Sequence, residues 1–140
     1  MDVRVKWGGD RSFVGTAGTG HQIVFGAATD STAKPGPTPM ELMLMGTGGC
    51  SAFDVVQILE KGRQKVEDVQ VVLSAERAET EPKVFTQIHM HFIVKGRGIA
   101  PEKVERAINL SVEKYCSASA MMEKSADLTH DFEIVETGEE

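Results

Sequence analysis

Length, charge and composition restrict the protein to a few classes. The chain has 140 residues, a formal net charge of −6 at pH 7 and 6% aromatic residues. The length predicts a single domain over residues 1–140 that folds without disulfides or metal ions. Because phosphate contacts need basic residues and base stacking needs aromatic ones, we expect no nucleic-acid partner. No apolar run comes near the ~20 residues of a membrane span and no signal-peptide core begins the chain, so we expect no membrane partner and a cytoplasmic location.

The N-terminal part of the chain predicts three strands and a long loop. Apolar residues alternate with charged ones from Val3 to Trp7, and two further strand-like segments follow glycine-containing turns. These features predict a three-stranded meander. Residues 26–38 then form a loop longer than compact domains usually contain unless it has a function.

A helix-start signal follows at Thr38. The Thr38 hydroxyl and the Glu41 carboxylate can form a capping box, and Pro39 suits the first helical position. Apolar residues then cover nearly every face through Leu59, so we expect a central helix that is buried on most sides.

Three glycines, Gly46, Gly48 and Gly49, precede Cys50 in this helix. Each costs roughly 1 kcal/mol relative to alanine, which predicts close backbone packing or a bend. A bend would place the Cys50 thiol near a helix N-terminus, where the dipole favours the thiolate. The alternative is a packed, unreactive cysteine, since the Asp54 carboxylate one turn later would disfavour a nearby thiolate. The residues alone leave both alternatives open.

The remainder of the chain completes an α+β pattern. Alternating apolar residues over 69–75 and 88–94 indicate two half-buried strands, Pro101 begins a helix, and a short helix and a final strand follow. The resulting order, β-β-β-α-β-β-α-α-β, belongs to the α+β class. Small sheets in one subunit can hardly cover an almost wholly apolar helix, so we expect a second copy of the chain to complete the cover as a homodimer.

Cys116 is the second candidate for thiol chemistry. It precedes Ser117, which can cap the short helix, and this position also favours a thiolate. An inert cysteine is an equally good interpretation of Cys116 alone. Two cysteines are the minimum for a peroxide-reducing cycle, in which one thiolate becomes a sulfenic acid and the second thiol condenses with it to a disulfide.

Two histidines could suggest a metal site. His89 and His91 lie two residues apart on one strand face. A zinc site needs two further ligands, which nothing nearby in the sequence supplies, so we interpret both as solvent-exposed polar residues and expect no metal.

Two cysteine contexts resemble those of the OsmC/Ohr superfamily, and most closely its YhfA-like branch. They are the segment Pro39-x-Glu41-Leu42 followed by small residues up to Gly49-Cys50, and the segment Tyr115-Cys-Ser-Ala-Ser-Ala120. The order of the predicted elements is also similar over essentially the whole chain.

This resemblance implies an OsmC-like fold, with a buried central helix and sheets shared across an intertwined homodimer. It further implies reduction of small organic hydroperoxides without a cofactor. Cys50 would be the peroxidatic thiol, Cys116 would resolve the sulfenic acid, and a small dithiol would reduce the enzyme again.

The sequence departs from the family pattern beside the thiol. Well-studied members carry a glutamate directly after the helix-start proline and an arginine in the preceding loop, and both steady the thiolate. Here Met40 follows the proline, and the loop contains Lys34 as its only cation. Glu41, Lys34 and Asp54 are therefore the possible auxiliary residues, although Glu41 is also explained by its helix cap.

Two other functions compete with a thiol peroxidase. A binding protein would keep the pocket for a hydrophobic or acyl ligand without the activating pair. A redox sensor would use a Cys50–Cys116 disulfide as a reversible switch.

Overall fold

A computed structural model describes residues 1–27 and 35–138. The elements in chain order are β1 (Arg4–Trp7), β2 (Ser12–Thr16), β3 (Gln22–Gly26), α1 (Pro39–Lys61), β4 (Lys65–Arg77), β5 (Phe85–Arg97), α2 (Pro101–Leu110), a π-helical segment (Ser111–Tyr115), α3 (Ser117–Met122) and β6 (Asp127–Glu136). This order confirms the predicted α+β class, and the π-helical segment is the element that the sequence did not predict. The chain divides into two compact units, residues 1–44 and 45–140, and α1 begins in the first and continues into the second. The single domain stays a prediction.

The first unit contains the predicted meander. Strand β2 pairs antiparallel with both β1 and β3. The register aligns Val5 with Gly15 and Gly15 with Ile23, so apolar residues of all three strands share one face of the sheet. Val5, Trp7 and Ile23 on this face remain more than half exposed.

The second unit is built on a sheet with the order β4-β5-β6. The central strand, β5, runs antiparallel to β4 and parallel to β6. Its inward-facing side chains are the most buried of the sheet. They are Phe85, Ile88, Met90, Phe92 and Val94. Val55 and Leu59 of α1 and Val104, Ala107 and Ile108 of α2 complete the core.

A single chain buries one side of α1, and cover of its other sides by a second copy stays a prediction. Its buried residues are Thr47, Gly48, Ser51, Val55 and Leu59, a single stripe. Met45 and Phe53 are 57% and 62% exposed.

The helix glycines play different roles. A Cβ atom at Gly48 would lie 2.6 Å from Cδ1 of Leu73 in β4, so the predicted close packing is present at this position. Among the residues that the structure describes, none lies within 4 Å of a Cβ atom placed at Gly46 or Gly49. The helix continues without interruption through all three glycines.

Helix α1 also corrects the expectation about membrane-length segments. Within the described residues, it is the one helix that is long and apolar enough to cross a membrane, with a mean hydropathy of 1.4 over 18 residues. Such a helix is weak evidence by itself, because the core helix of a soluble protein meets the same criterion.

Candidate active site

Cys50 lies in the middle of α1, eleven residues after Pro39. The capping box that starts the helix is formed as predicted: Thr38 N donates to Glu41 Oε1 at 2.9 Å, and Glu41 N donates to Thr38 Oγ1 at 3.1 Å. Because α1 continues past Cys50, this thiol does not lie at a helix N-terminus, and of the two alternatives for the glycines the structure shows close packing, at Gly48. The thiol is half-buried and free.

Cys116 lies between the π-helical segment and α3. Its backbone N donates to Ser111 O at 2.7 Å, five residues earlier, which closes the π-helical turn. Its Sγ accepts from Ser119 N at 3.3 Å and from Ser119 Oγ at 3.1 Å, so Cys116 itself caps α3 in place of the predicted Ser117. Cys116 is 2% exposed.

The two thiols meet within the second unit. The side chains of Cys116 and Cys50 lie near each other, and Cys116 Sγ also donates to Thr47 O at 4.0 Å, three residues before Cys50. Burial raises the pKa of the Cys116 thiol, the Ser119 hydrogen bonds oppose this rise, and the hydrogen bond with Cys50 adds to it. Cys116 therefore keeps its proton beside a more exposed Cys50.

A buried polar cluster fixes this arrangement. Ser111 Oγ lies 2.8 Å from Ser51 Oγ and donates to Asp54 Oδ2 at 2.9 Å, and both of these partners belong to α1. Ser111 thus binds α1 with its side chain and the Cys116 amide with its carbonyl oxygen. Sequence analysis missed Ser51 and Ser111. The sequence does show a serine near each cysteine, but it does not show that these two serines bind each other.

Of the three possible auxiliary residues, Asp54, Glu41 and Lys34, Asp54 is found in the polar cluster near the thiols. Asp54 takes part in the serine cluster, so its carboxylate has a positioning partner. Glu41 forms the helix cap and is exposed. Lys34 lies outside the described residues.

The histidine pair has neighbours that the sequence did not reveal. His89 Nε2 and His91 Nδ1 lie 3.0 and 2.7 Å from Asp131 Oδ1, and His91 Nε2 lies 2.8 Å from Glu133 Oε2. The parallel pairing of β5 with β6 brings these carboxylates beside the imidazoles. The view that no acidic residue lies nearby is therefore wrong. Among the described residues, no group of three or more His, Cys, Asp or Glu residues is arranged to hold a metal ion.

The environment of His91 predicts a pH dependence. Hydrogen bonds to Glu133 and then Asp131 raise the pKa of His91 above its ordinary value of 6.5, because both ring nitrogens must be protonated to donate to both carboxylates. The stabilisation is thus fully present below pH 6.5 and is lost as the pH rises through the raised pKa. An NMR titration of the His91 ring should give a midpoint above 6.5, and Glu133→Gln should lower it. Glu105→Gln, on an exposed face of α2, should leave it unchanged; a wild-type midpoint at or below 6.5 would contradict this account.

Comparisons with known proteins agree on the family. The chain is 49% identical over 135 residues to the protein YhfA of Escherichia coli K12, and the match covers 96% of this chain and 98% of YhfA. A solved structure of a hypothetical protein from Aquifex aeolicus is 31% identical with a TM-score of 0.87, covering 98% of this chain and 97% of that one.

More distant structures share the fold. The organic hydroperoxide resistance protein OhrB of Bacillus subtilis superposes with a TM-score of 0.64 at 18% identity, covering 94% of this chain and 96% of OhrB. The family model described as OsmC-like protein matches residues 29–131. The chain belongs to the OsmC-like protein family.

Proposed function

We propose that this protein is a thiol-dependent reductase of organic hydroperoxides, with Cys50 as the peroxidatic thiol and Cys116 as the resolving thiol. The observation that carries the proposal is the contact between two free cysteines of unequal exposure. Peroxide from solvent reaches the half-buried Cys50 before the buried Cys116. The name of the structural neighbour OhrB links the same fold to hydroperoxide resistance in that protein.

In the first step, the Cys50 thiolate attacks the terminal oxygen of the hydroperoxide. An S–O bond forms, the O–O bond breaks, and the alkoxide leaves and takes up a proton to give the alcohol. Cys50 becomes a sulfenic acid. During this step Cys116, whose pKa is raised by burial, keeps its proton beside Cys50.

In the second step, Cys116 attacks the Cys50 sulfur. The S–S bond forms, the S–O bond breaks, and the hydroxide leaves as water. Because the sulfenic acid carries no negative charge, the effect of Cys50 that raised the pKa of Cys116 is removed. The N–H and O–H of Ser119 then stabilise the Cys116 thiolate. An external dithiol reduces the disulfide by exchange and restores both thiols.

We further propose that the protein acts in the cytoplasm as a homodimer. Val5, Trp7 and Ile23 of the β1–β3 sheet are more than half exposed, as are Met45 and Phe53 of α1. Soluble proteins rarely expose large apolar patches without a partner. Sedimentation should give a dimer mass, and Phe53→Glu should shift the protein towards the monomer. A wild-type monomer at micromolar concentration would overturn the proposal.

The catalytic proposal is tested with reduced protein, cumene hydroperoxide and dithiothreitol. Peroxide should disappear with turnover, and Cys50→Ser should reduce its loss to that of buffer. If wild-type protein and Cys50→Ser match buffer alike, the enzyme proposal fails. Reversible loss of both thiols after one equivalent of peroxide, without turnover, would then support the redox-sensor alternative.

A further inference from the structure

Helix α3 depends on Cys116 for its first turn. The Cys116 sulfur accepts hydrogen bonds from the amide and the hydroxyl of Ser119, at 3.3 and 3.1 Å. The amide of the third helical residue has no acceptor within its own helix, and a capping side chain normally supplies one. Here that side chain is a thiol, so the cap of α3 is also the proposed resolving group of the thiol pair.

Helix α3 is short and lies largely at the surface. It spans six residues, Ser117–Met122, and Ser119 is its buried residue. Met121 is 72% exposed. Helices of this length do not persist on their own hydrogen bonds, so caps and packing decide whether they form. Loss of the cap should therefore affect α3 more than the longer helices α1 and α2.

Disulfide formation removes this cap. A covalent bond between the two sulfurs is shorter than any hydrogen-bond contact, so the Cys116 sulfur must move towards Cys50. Its S–H, which donates to Thr47 O at 4.0 Å, is lost in the same step. Ser119 is fully buried, so its amide and hydroxyl would be left without a partner and away from water, which costs more than a hydrogen bond normally contributes. The first turn of α3 relieves this cost when it opens to water.

We propose that α3 is a redox-operated latch, closed by the reduced Cys116 thiol and opened when Cys116 forms a disulfide with Cys50. The inference rests on the proposed pairing of these two cysteines and adds regulation to it. Opening of the latch uncovers the Cys116 sulfur, which is 2% exposed in the reduced protein. The dithiol that completes the cycle can then reach this sulfur. After reduction the thiol caps α3 again and closes the latch.

The reductive step balances with the dithiol as its only reagent. One thiolate of the dithiol attacks the uncovered Cys116 sulfur, the bond between the two protein sulfurs breaks, and Cys50 leaves as a thiolate. The second thiol of the dithiol loses its proton to solvent and displaces Cys116, which leaves as a thiolate and takes up a proton. The dithiol becomes a disulfide, and two electrons pass to the protein.

Hydrogen exchange followed by NMR tests the latch without any peroxide. Diamide, which takes up the two thiol hydrogens, should form the disulfide in wild-type protein. Protection of the Ser119 amide should then fall about tenfold, the size expected for loss of a helix cap. The amide of Phe92 in the central strand β5 should keep its protection, because the opening is local. In Cys50→Ser, which cannot form the disulfide, diamide should leave Ser119 protected.

A second variant tests access of the reductant. Ala120→Gly lowers helix propensity at an exposed position of α3, so dithiothreitol should reduce the diamide-formed disulfide about threefold faster than in wild type. The matched control, Lys103→Gly, makes a similar change at an exposed position of α2 and should be reduced at the wild-type rate. Equal rates in Ala120→Gly and wild type would overturn the latch.

These measurements separate the latch from the enzyme proposal. Unchanged protection of Ser119 after complete disulfide formation would overturn the latch even if peroxide is turned over. A loss of protection that extends to Phe92 would also overturn it, because the whole unit would then be destabilised. If Ser119 loses protection but peroxide is not consumed, the latch is supported and the enzyme proposal fails. If diamide forms no disulfide between Cys50 and Cys116, both proposals fail.

Discussion

In the absence of a dithiol, replacing Cys116 by serine should trap Cys50 as its sulfenic acid after one peroxide per Cys50. Cys50 keeps its position in α1, so the first step proceeds, but no second sulfur can displace the hydroxide. In the absence of dithiol, wild-type protein should lose both thiols for each peroxide consumed, whereas Cys116→Ser should lose one. Mass spectrometry after dimedone treatment should find the adduct on Cys50 of the variant and little of it on wild type.

With dithiol present, Cys116→Ser should turn over only as fast as the dithiol itself reaches the Cys50 sulfenic acid. Ser119→Ala provides the graded comparison, because it keeps Cys116 and removes the 3.1 Å hydrogen bond from the serine hydroxyl. Disulfide formation in Ser119→Ala should therefore slow without stopping. Disulfide-independent turnover at the wild-type rate in Cys116→Ser would show that Cys116 does not resolve the sulfenic acid.

Local signals account for the parts of the fold that the sequence predicted. The capping box at Thr38 and Glu41 needs only residues three positions apart, and strand alternation needs only neighbours two positions apart. Both were confirmed. The apolar composition of α1 indicates that the helix needs cover, but it does not identify the chain that supplies this cover.

The active site depends on contacts that no local pattern encodes. Cys116 lies 69 residues after Thr47 in the sequence, yet its thiol contacts the backbone carbonyl oxygen of Thr47. In the π-helical turn before Cys116, the Cys116 amide bonds to the carbonyl oxygen five residues earlier, at Ser111, and not four residues earlier as in an α-helix. The periodicity of apolar residues does not reveal this extra residue. Ser111 could be assigned only when its partners on α1 were known.

Ser111→Ala tests whether this serine holds the two cysteine-bearing segments together. The change removes the Ser111 hydroxyl. The buried Ser51 hydroxyl and the partly buried Asp54 carboxylate then each lose a hydrogen-bond partner. Such losses cost about 1–3 kcal/mol in the free energy of unfolding, which denaturant titration measures. Ser125→Ala, at an exposed position, should cost less than about 0.5 kcal/mol.

A double-mutant cycle separates positioning from a general loss of stability. If Ser111 acts through Asp54, the double variant Ser111→Ala/Asp54→Ala should be destabilised by less than the sum of the single changes, with a coupling of at least about 0.5 kcal/mol. Disulfide formation after one equivalent of peroxide should also slow in Ser111→Ala under conditions where the variant is fully folded, because the segment that carries Cys116 is less firmly bound to α1. If the free-energy changes are additive and disulfide formation keeps the wild-type rate, Ser111 does not position the segment that carries Cys116.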